Sequence, residues 1–463
     1  MPITELRILP PFAIARLGAS ATPLEAYSLE LPEAKPLDFR VIHAEETFEV
    51  DPQSGTLRAF RPKRIRFKDD GKIRPVAPFL EVWARTSGET LEPLTLALLR
   101  KEGLDSEAIR WSVEVANIKA FRRTGNTNDR IIARINDFND HAAHELLGKC
   151  DHFFEGKTLP LGFVRYICPT EEFPEIRLRF TPAGGYVYGA SNKRHTSDEA
   201  EVDDPVLKPQ HIVYDPARGK WHGWREPGSG PALTNPGQIF AGYSTNGVQV
   251  SWGYLDDSCD GTVTVTLTRK GHAQLSASAH ISAGPPTFVP DAVPIRTAED
   301  ELVQIVLGPD IAEEKDVPIE EALEIVRRAL DTVRQLNTAV MNGNPTDGRL
   351  NVASTMVRQD SNDFGRQFAP IMASSLVDNL AVRALHERIF ASLSSGAAPW
   401  FAEALRRPEE IGDLSDKARR KMPAMMRGAD GRMLTLTRRQ IRQVVRAATR
   451  ALFQGPGNTA SNP

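Results

Sequence analysis

The sequence predicts an α+β protein, with a β-rich N-terminal domain carrying a few helices over residues 1–310 and a mainly α-helical C-terminal domain over 311–463. Three features predict it. As far as Pro309, proline and glycine divide the chain into short segments rich in β-branched and aromatic residues, which is strand grammar. Thr262-Val-Thr-Val-Thr-Leu-Thr268 alternates strictly, as a half-buried strand does. Beyond Asp310 the apolar residues recur instead at helical spacing.

Taken in order, Arg64 to Arg74 alternates polar and apolar residues around Asp70-Gly71, a pair suited to the positive φ angles of a tight hairpin. A strand is expected at Phe79 to Ala84. Helices are expected at Leu94 to Glu102, Ile109 to Phe121 and Ile132 to Leu147, where apolar positions fit a helical period. Gly184-Gly185 reads as a turn between strands, and the polar stretch from Ser191 to Gly237 as long surface loops.

In the second half, Ile319, Leu323, Val326, Leu330 and Val333 form one stripe on a helix opened by Asp316-Val-Pro. Further helices are expected from Pro370 to Ser394, from Trp400 to Arg407 and from Thr437 to Phe453. On the last, Ile441, Val444, Val445, Ala448 and Leu452 make the buried face, and Arg442, Arg446 and Arg450 line another. The Met422 to Met426 segment suggests a packing surface, which leaves a homo-oligomer open.

Composition narrows the function. The 463 residues are 41% hydrophobic with a net charge of −3, so the whole has material for a core and no electrostatic reason to seek nucleic acid or an anionic membrane. The basic run from Arg406 to Arg450 lacks a nucleic-acid motif and reads as a solvated or subunit-facing surface. No apolar run approaches membrane-spanning length, and a cytoplasmic address is expected. Cys150, Cys168 and Cys259 read as reduced thiols. Walker, dinucleotide-binding and hydrolase-elbow motifs are absent.

Two constellations could carry chemistry. Trp252-Gly-Tyr-Leu-Asp-Asp-Ser-Cys-Asp-Gly261 gathers Asp256, Asp257 and Asp260 with one thiol ahead of a strand. Carboxylates that close share protons, bind a cation or accept backbone N–H groups, and these three are the candidate general bases. Capping of a turn is the plainer use of the same residues. The second constellation is Asp137, Asp140, His141, His144, Glu145, Cys150 and His152; on a helix, His141, His144 and Glu145 would share a face, although no standard metal-ligand spacing is completed and no metal is expected.

Four segments in order resemble the N-terminal domain of the lysine ε-oxidase and glycine oxidase family, amino-acid oxidases that carry a cysteine tryptophylquinone. They are Leu9-Pro-Pro-Phe-Ala-Ile-Ala-Arg-Leu-Gly18, Ile109-Arg-Trp-Ser-Val-Glu-Val-Ala-Asn-Ile-Lys119, Trp252 to Thr262, and Gly284-Pro-Pro-Thr-Phe-Val-Pro-Asp291. The resemblance covers about the first 300 residues. It implies a primary amine or amino acid as ligand and, in the full family pattern, a C-terminal cysteine joined to a tryptophan.

Here no cysteine follows Cys259, and Trp400 is the only tryptophan beyond Trp252. The thioether of that quinone needs a cysteine, so Trp252 with Cys259 is the one local substitute, and no cofactor is expected. The leading expectation is therefore a family-like scaffold without the quinone, acting as a non-catalytic binding or assembly protein for a small amine, an amino acid or a partner protein. The alternatives are an amine or amino-acid oxidoreductase with an unrecognised centre near Asp256-Asp257-Cys259-Asp260, and a metal-dependent enzyme.

Overall fold

A computed structural model describes residues 3–30, 40–190, 207–215, 255–286, 290–332, 403–411, 421–423 and 435–454, apart from 87, 89, 270 and 313–316, together with 413, 415 and short strands between 192 and 250. The described region is β-rich with few helices. It divides into two units: Met1–Ser28 with Ile42–Phe288, and Leu29–Val41 with Val289–Pro463.

The first unit is built on two sheets. One contains β1 (Glu5–Leu9), β3 (Phe79–Arg85), β4 (Leu91–Pro93), β7 (Ala143–Gly148), β8 (Leu159–Tyr166) and β9 (Arg177–Thr181), in the order β1-β3-β9-β8-β7 with β4 also on β3. The other contains β2 (Phe12–Arg16), β5 (Ile109–Asn117), β6 (Ile131–Phe138), β12 (Cys259–Leu267) and β13 (Leu275–Gly284), in the order β6-β5-β12-β13-β2, where only β2 runs parallel to its neighbour. A short ribbon of β10 (Val187–Tyr188) and β11 (Leu255–Asp256) precedes β12.

Period-2 alternation sends one set of side chains inward. Leu80, Val82 and Ala84 do so from β3, and Val263, Val265 and Leu267 from β12, the face expected from the threonine alternation. Trp111 on β5 and Tyr166 on β8 are fully buried with ring centroids 6.1 Å apart, joining the two sheets through one core.

Two of the expected helices are strands. Ile109–Asn117 buries Ile109, Trp111, Val113, Val115 and Asn117 on one face, a period of two that overrides the helical fit. Only Lys119–Thr124 (α2) is helical, ended by Gly125 in the left-handed region. Likewise Ile132 to Leu147 is not a helix but the strands β6 and β7, one in each sheet, with a connection through Asp140 and His141; Asp137 within β6 has a positive φ that no helix allows. The helical face proposed for His141, His144 and Glu145 therefore does not exist.

Other expectations hold. Asp70 and Gly71 have φ of 47° and 78° and turn the chain between Lys68–Asp69 and Lys72–Ile73. Leu96–Lys101 (α1) is helical, and the Thr95 side chain accepts from Leu98 N–H to cap it.

Gly261 sits opposite Val115 in the β5–β12 ladder, where an added Cβ would lie 2.0 Å from Glu114 O. Only glycine allows this approach of the strands. Gly261→Ala is expected to destabilise the first unit by about 3 kcal/mol, the upper part of the usual range for overpacking. Chemical denaturation reads it, and a change below about 0.5 kcal/mol would contradict the close approach.

In the second unit, α3 (Ala298–Leu307) begins with a capping box in which Thr297 and Asp300 satisfy each other's backbone N–H. The α4 helix (Ile319–Asp331) buries Ala322, Ile325, Val326, Ala329 and Leu330; Ile319 and Leu323 of the expected stripe are half-buried, and Val333 lies outside the described residues. Arg438–Gln454 (α5) buries Ile441, Val444, Ala447 and Ala448 against the same cluster. Leu452 and Arg450 lie among side chains that are not described.

The helix expected from Pro370 to Ser394 lies outside the described residues. Of Trp400 to Arg407, residues 403–407 are described, and Leu405 bridges to Met422 rather than continuing a helix. Met422 is buried, and the Arg406 guanidinium, also buried, donates to Pro423 O at 3.2 Å and Lys421 O at 2.9 Å. Among the described residues no helix is long and apolar enough to cross a membrane.

Candidate functional site

The Asp256 motif occupies the step from β11 into β12, where strand alternation and a tight bend assign its side chains. Asp256 is held locally. One carboxylate oxygen accepts from Ser258 Oγ at 2.7 Å and Ser258 N at 3.3 Å, the other pairs with the Lys119 ammonium, and its backbone oxygen accepts from Asn117 Nδ2 at 2.8 Å. Its charge is thus matched by the first turn of α2.

Asp257 turns inward and is fully buried. One oxygen accepts the backbone N–H groups of Gly185 and Tyr186, both at 3.0 Å, while the other has no hydrogen-bond partner among the described residues. Gly185 at φ 78° aims its amide at the carboxylate, so the glycine turn expected from the sequence is also a receptor for this side chain. Burial pushes the Asp257 carboxyl up to about 7; the neighbouring Asp256 charge adds to this, and the backbone N–H donors oppose it.

Asp260 points the other way. It is exposed on the outer face of β12 and accepts from Ser282 Oγ at 2.5 Å, directly across the ladder. Cys259 faces the core, with Sγ 3.6 Å from Leu161 O. Burial, and then the charges of Asp260, Asp257 and Asp256, push its thiol up, which keeps it a neutral and weak nucleophile. Trp252 lies outside the described residues.

Aromatic rings stand beside Asp257. His211 is ringed by Tyr186 and Tyr188, with centroids 5.2 Å and 4.8 Å away. The Tyr188 hydroxyl is pushed up, mainly by burial and also by the Asp257 charge.

The second constellation disperses into pairs. His141 Nδ1 lies 3.0 Å from Tyr166 O, and His144 Nε2 lies 2.9 Å from Asp140 Oδ1. His152 Nδ1 pairs with Asp129, a buried carboxylate that also accepts from the Thr124 hydroxyl. An aspartate that holds Nδ1 orients an imidazole for proton handling at its other nitrogen. Burial pushes the nearby Cys150 thiol up to about 12, with the Asp129 and Asp151 charges contributing.

Sequence reading missed Asp129 and Lys119. Each meets its partner only after folding, Asp129 across 23 residues and Lys119 across 137. Among the described residues no group of three or more His, Cys, Asp or Glu side chains is disposed to hold a metal ion.

No known protein family profile matches the chain, and no curated protein matches it. Among solved structures it is similar to L-Lys ε-oxidase from Marinomonas mediterranea, both in a crystal structure of that enzyme and in one of its Schiff base intermediate with L-Lys. Each comparison gives 16% sequence identity and a TM-score of 0.46. Each covers 96% of this chain and 61% of the oxidase chain, so the present chain spans less than two thirds of that length. The relationship is a distant structural one.

Proposed function

We propose that this chain is a lysine ε-oxidase-like scaffold without a tryptophylquinone, serving as a non-catalytic binding or assembly protein in the cytoplasm, with a mainly helical C-terminal part. Its ligand class is a small amine, an amino acid or a partner protein.

The observation that carries a non-catalytic role is the divergence of the Asp256 motif. Asp256 is neutralised by Lys119, Asp257 is enclosed, and Asp260 lies on the outer face, so no two of these carboxylates face a shared reacting position. A general base must reach the proton that it removes. Cys259 is buried with Sγ 3.6 Å from Leu161 O, a placement that favours a packing role for it. The amine preference draws on the family-like segments.

Visible absorption and intact mass of the purified native protein test this. A colourless protein at its encoded mass is the expected result. A visible chromophore with a mass altered by oxygen insertion and cross-linking would overturn it and make an amine oxidoreductase the better account.

A further inference from the structure

The second unit holds a cavity of about 890 Å³ that owes nothing to the Asp256 motif. Its volume is in the range of small-molecule sites, roughly 300–1,000 Å³. Four arginines line it, Arg407, Arg438, Arg442 and Arg446, together with Asp310 and Glu409. Val317, Ile441 and Val445 add apolar lining.

The cation surplus is local and unbalanced. Arg442 pairs with Asp310 and Arg438 with Glu409, whose charge also acts on Arg407. These pairs are half-exposed, so solvent screens them and an incoming anion can compete for the guanidiniums. Arg446 has no carboxylate partner among the described residues. Its neighbour Arg439 shows what a structural arginine does in this helix: it is buried and donates to Gly308 O at 3.1 Å and Asp310 O at 2.6 Å, fixing one wall of the cavity.

Arg438, Arg442 and Arg446 recur every four residues and form one stripe on α5. Arg438 and Arg442 each already face a carboxylate, which leaves Arg446 as the unmatched charge of the stripe among the described residues. A guanidinium fork also matches carboxylate and phosphate oxygens bidentately. We infer that this cavity binds a small organic anion of two or more negative charges, such as a phosphate monoester or a polycarboxylate, through Arg442 and Arg446, with an apolar body resting on Val317, Ile441 and Val445.

The test uses the full chain and 1-naphthyl phosphate, with inorganic phosphate and 1-naphthol as single-feature controls, by titration calorimetry at low and high salt. Expected are 1:1 binding weakened by salt, and each control at least about tenfold weaker. Arg446→Glu is expected to weaken the phosphate ester at least about tenfold, and Arg446→Lys by about threefold, with circular dichroism and Tm unchanged. Equal binding of 1-naphthol or inorganic phosphate, insensitivity to Arg446→Glu, or no saturable binding would each overturn the assignment. Citrate in place of the ester separates a carboxylate ligand from a phosphate one. If Arg446→Glu fails to fold, Arg446→Lys and the salt dependence of the unaltered chain decide the matter.

Discussion

Replacing Asp257 by asparagine is expected to remove a fall in stability that the native protein shows between about pH 4 and pH 7, leaving the variant more stable at pH 8. The folded carboxyl titrates near 7, above its ordinary value of 3.8, because burial disfavours its charge. The folded state therefore holds a proton that the unfolded state releases over this interval, and stability declines as pH rises through it. Below the unfolded pKa both states are protonated and nothing is lost. Above 7 the loss is complete, at most about 4 kcal/mol for a shift of this size. Asparagine keeps an acceptor for the Gly185 and Tyr186 amides and has no charge to bury. Urea denaturation of both proteins from pH 4 to 8 measures the difference. Parallel pH profiles would mean that Asp257 is ionised without penalty and that another cation matches it.

The motif around Asp257 illustrates how far the sequence could be read. Its composition announced a turn before a strand, and the alternation from Thr262 fixed which side chains face the core. The partners of the carboxylate were out of reach, since Gly185 and Tyr186 lie 72 and 71 residues away. The same limit explains the error at Ile109–Asn117. Its apolar residues run on into Ile118, Ala120 and Phe121, and over that longer window a helical period fits as well as a strand. What separated the two was burial between sheets, where Trp111 meets Tyr166, and that is a tertiary fact. Hairpins and amphipathic helices fared better because Asp70-Gly71 and the stripe on Ile319–Asp331 act through neighbours in sequence. Charge clusters such as His141 and His144 were the least legible, because spacing places side chains on a face only if the element type is right.

A second large effect is expected at Arg40, which nothing in its sequence neighbourhood singles out. Its side chain is 3% exposed, pairs with Asp331, and reaches Glu324 at 3.4 Å, so Arg40 is tied to the α4 helix by a buried charge. Glu324 is also held by Arg327 and Arg328, each at 3.1 Å, which makes Arg40 one member of a network rather than an isolated bridge. Removing one member of a buried pair strands the other in a poorly solvated place, typically at 3–5 kcal/mol. Arg40→Ala is expected near the lower bound, about 3 kcal/mol, because the Glu324 pairs survive. Hydrogen exchange read by mass spectrometry localises the effect. Peptides from Ile319–Asp331 should exchange on the order of a hundredfold faster, whereas those from Ile109–Asn117 in the first unit should keep their native rates. Acceleration of both sets together would show that the two units unfold as one, and unchanged rates in α4 would show that Arg40 contributes no more than an exposed ion pair.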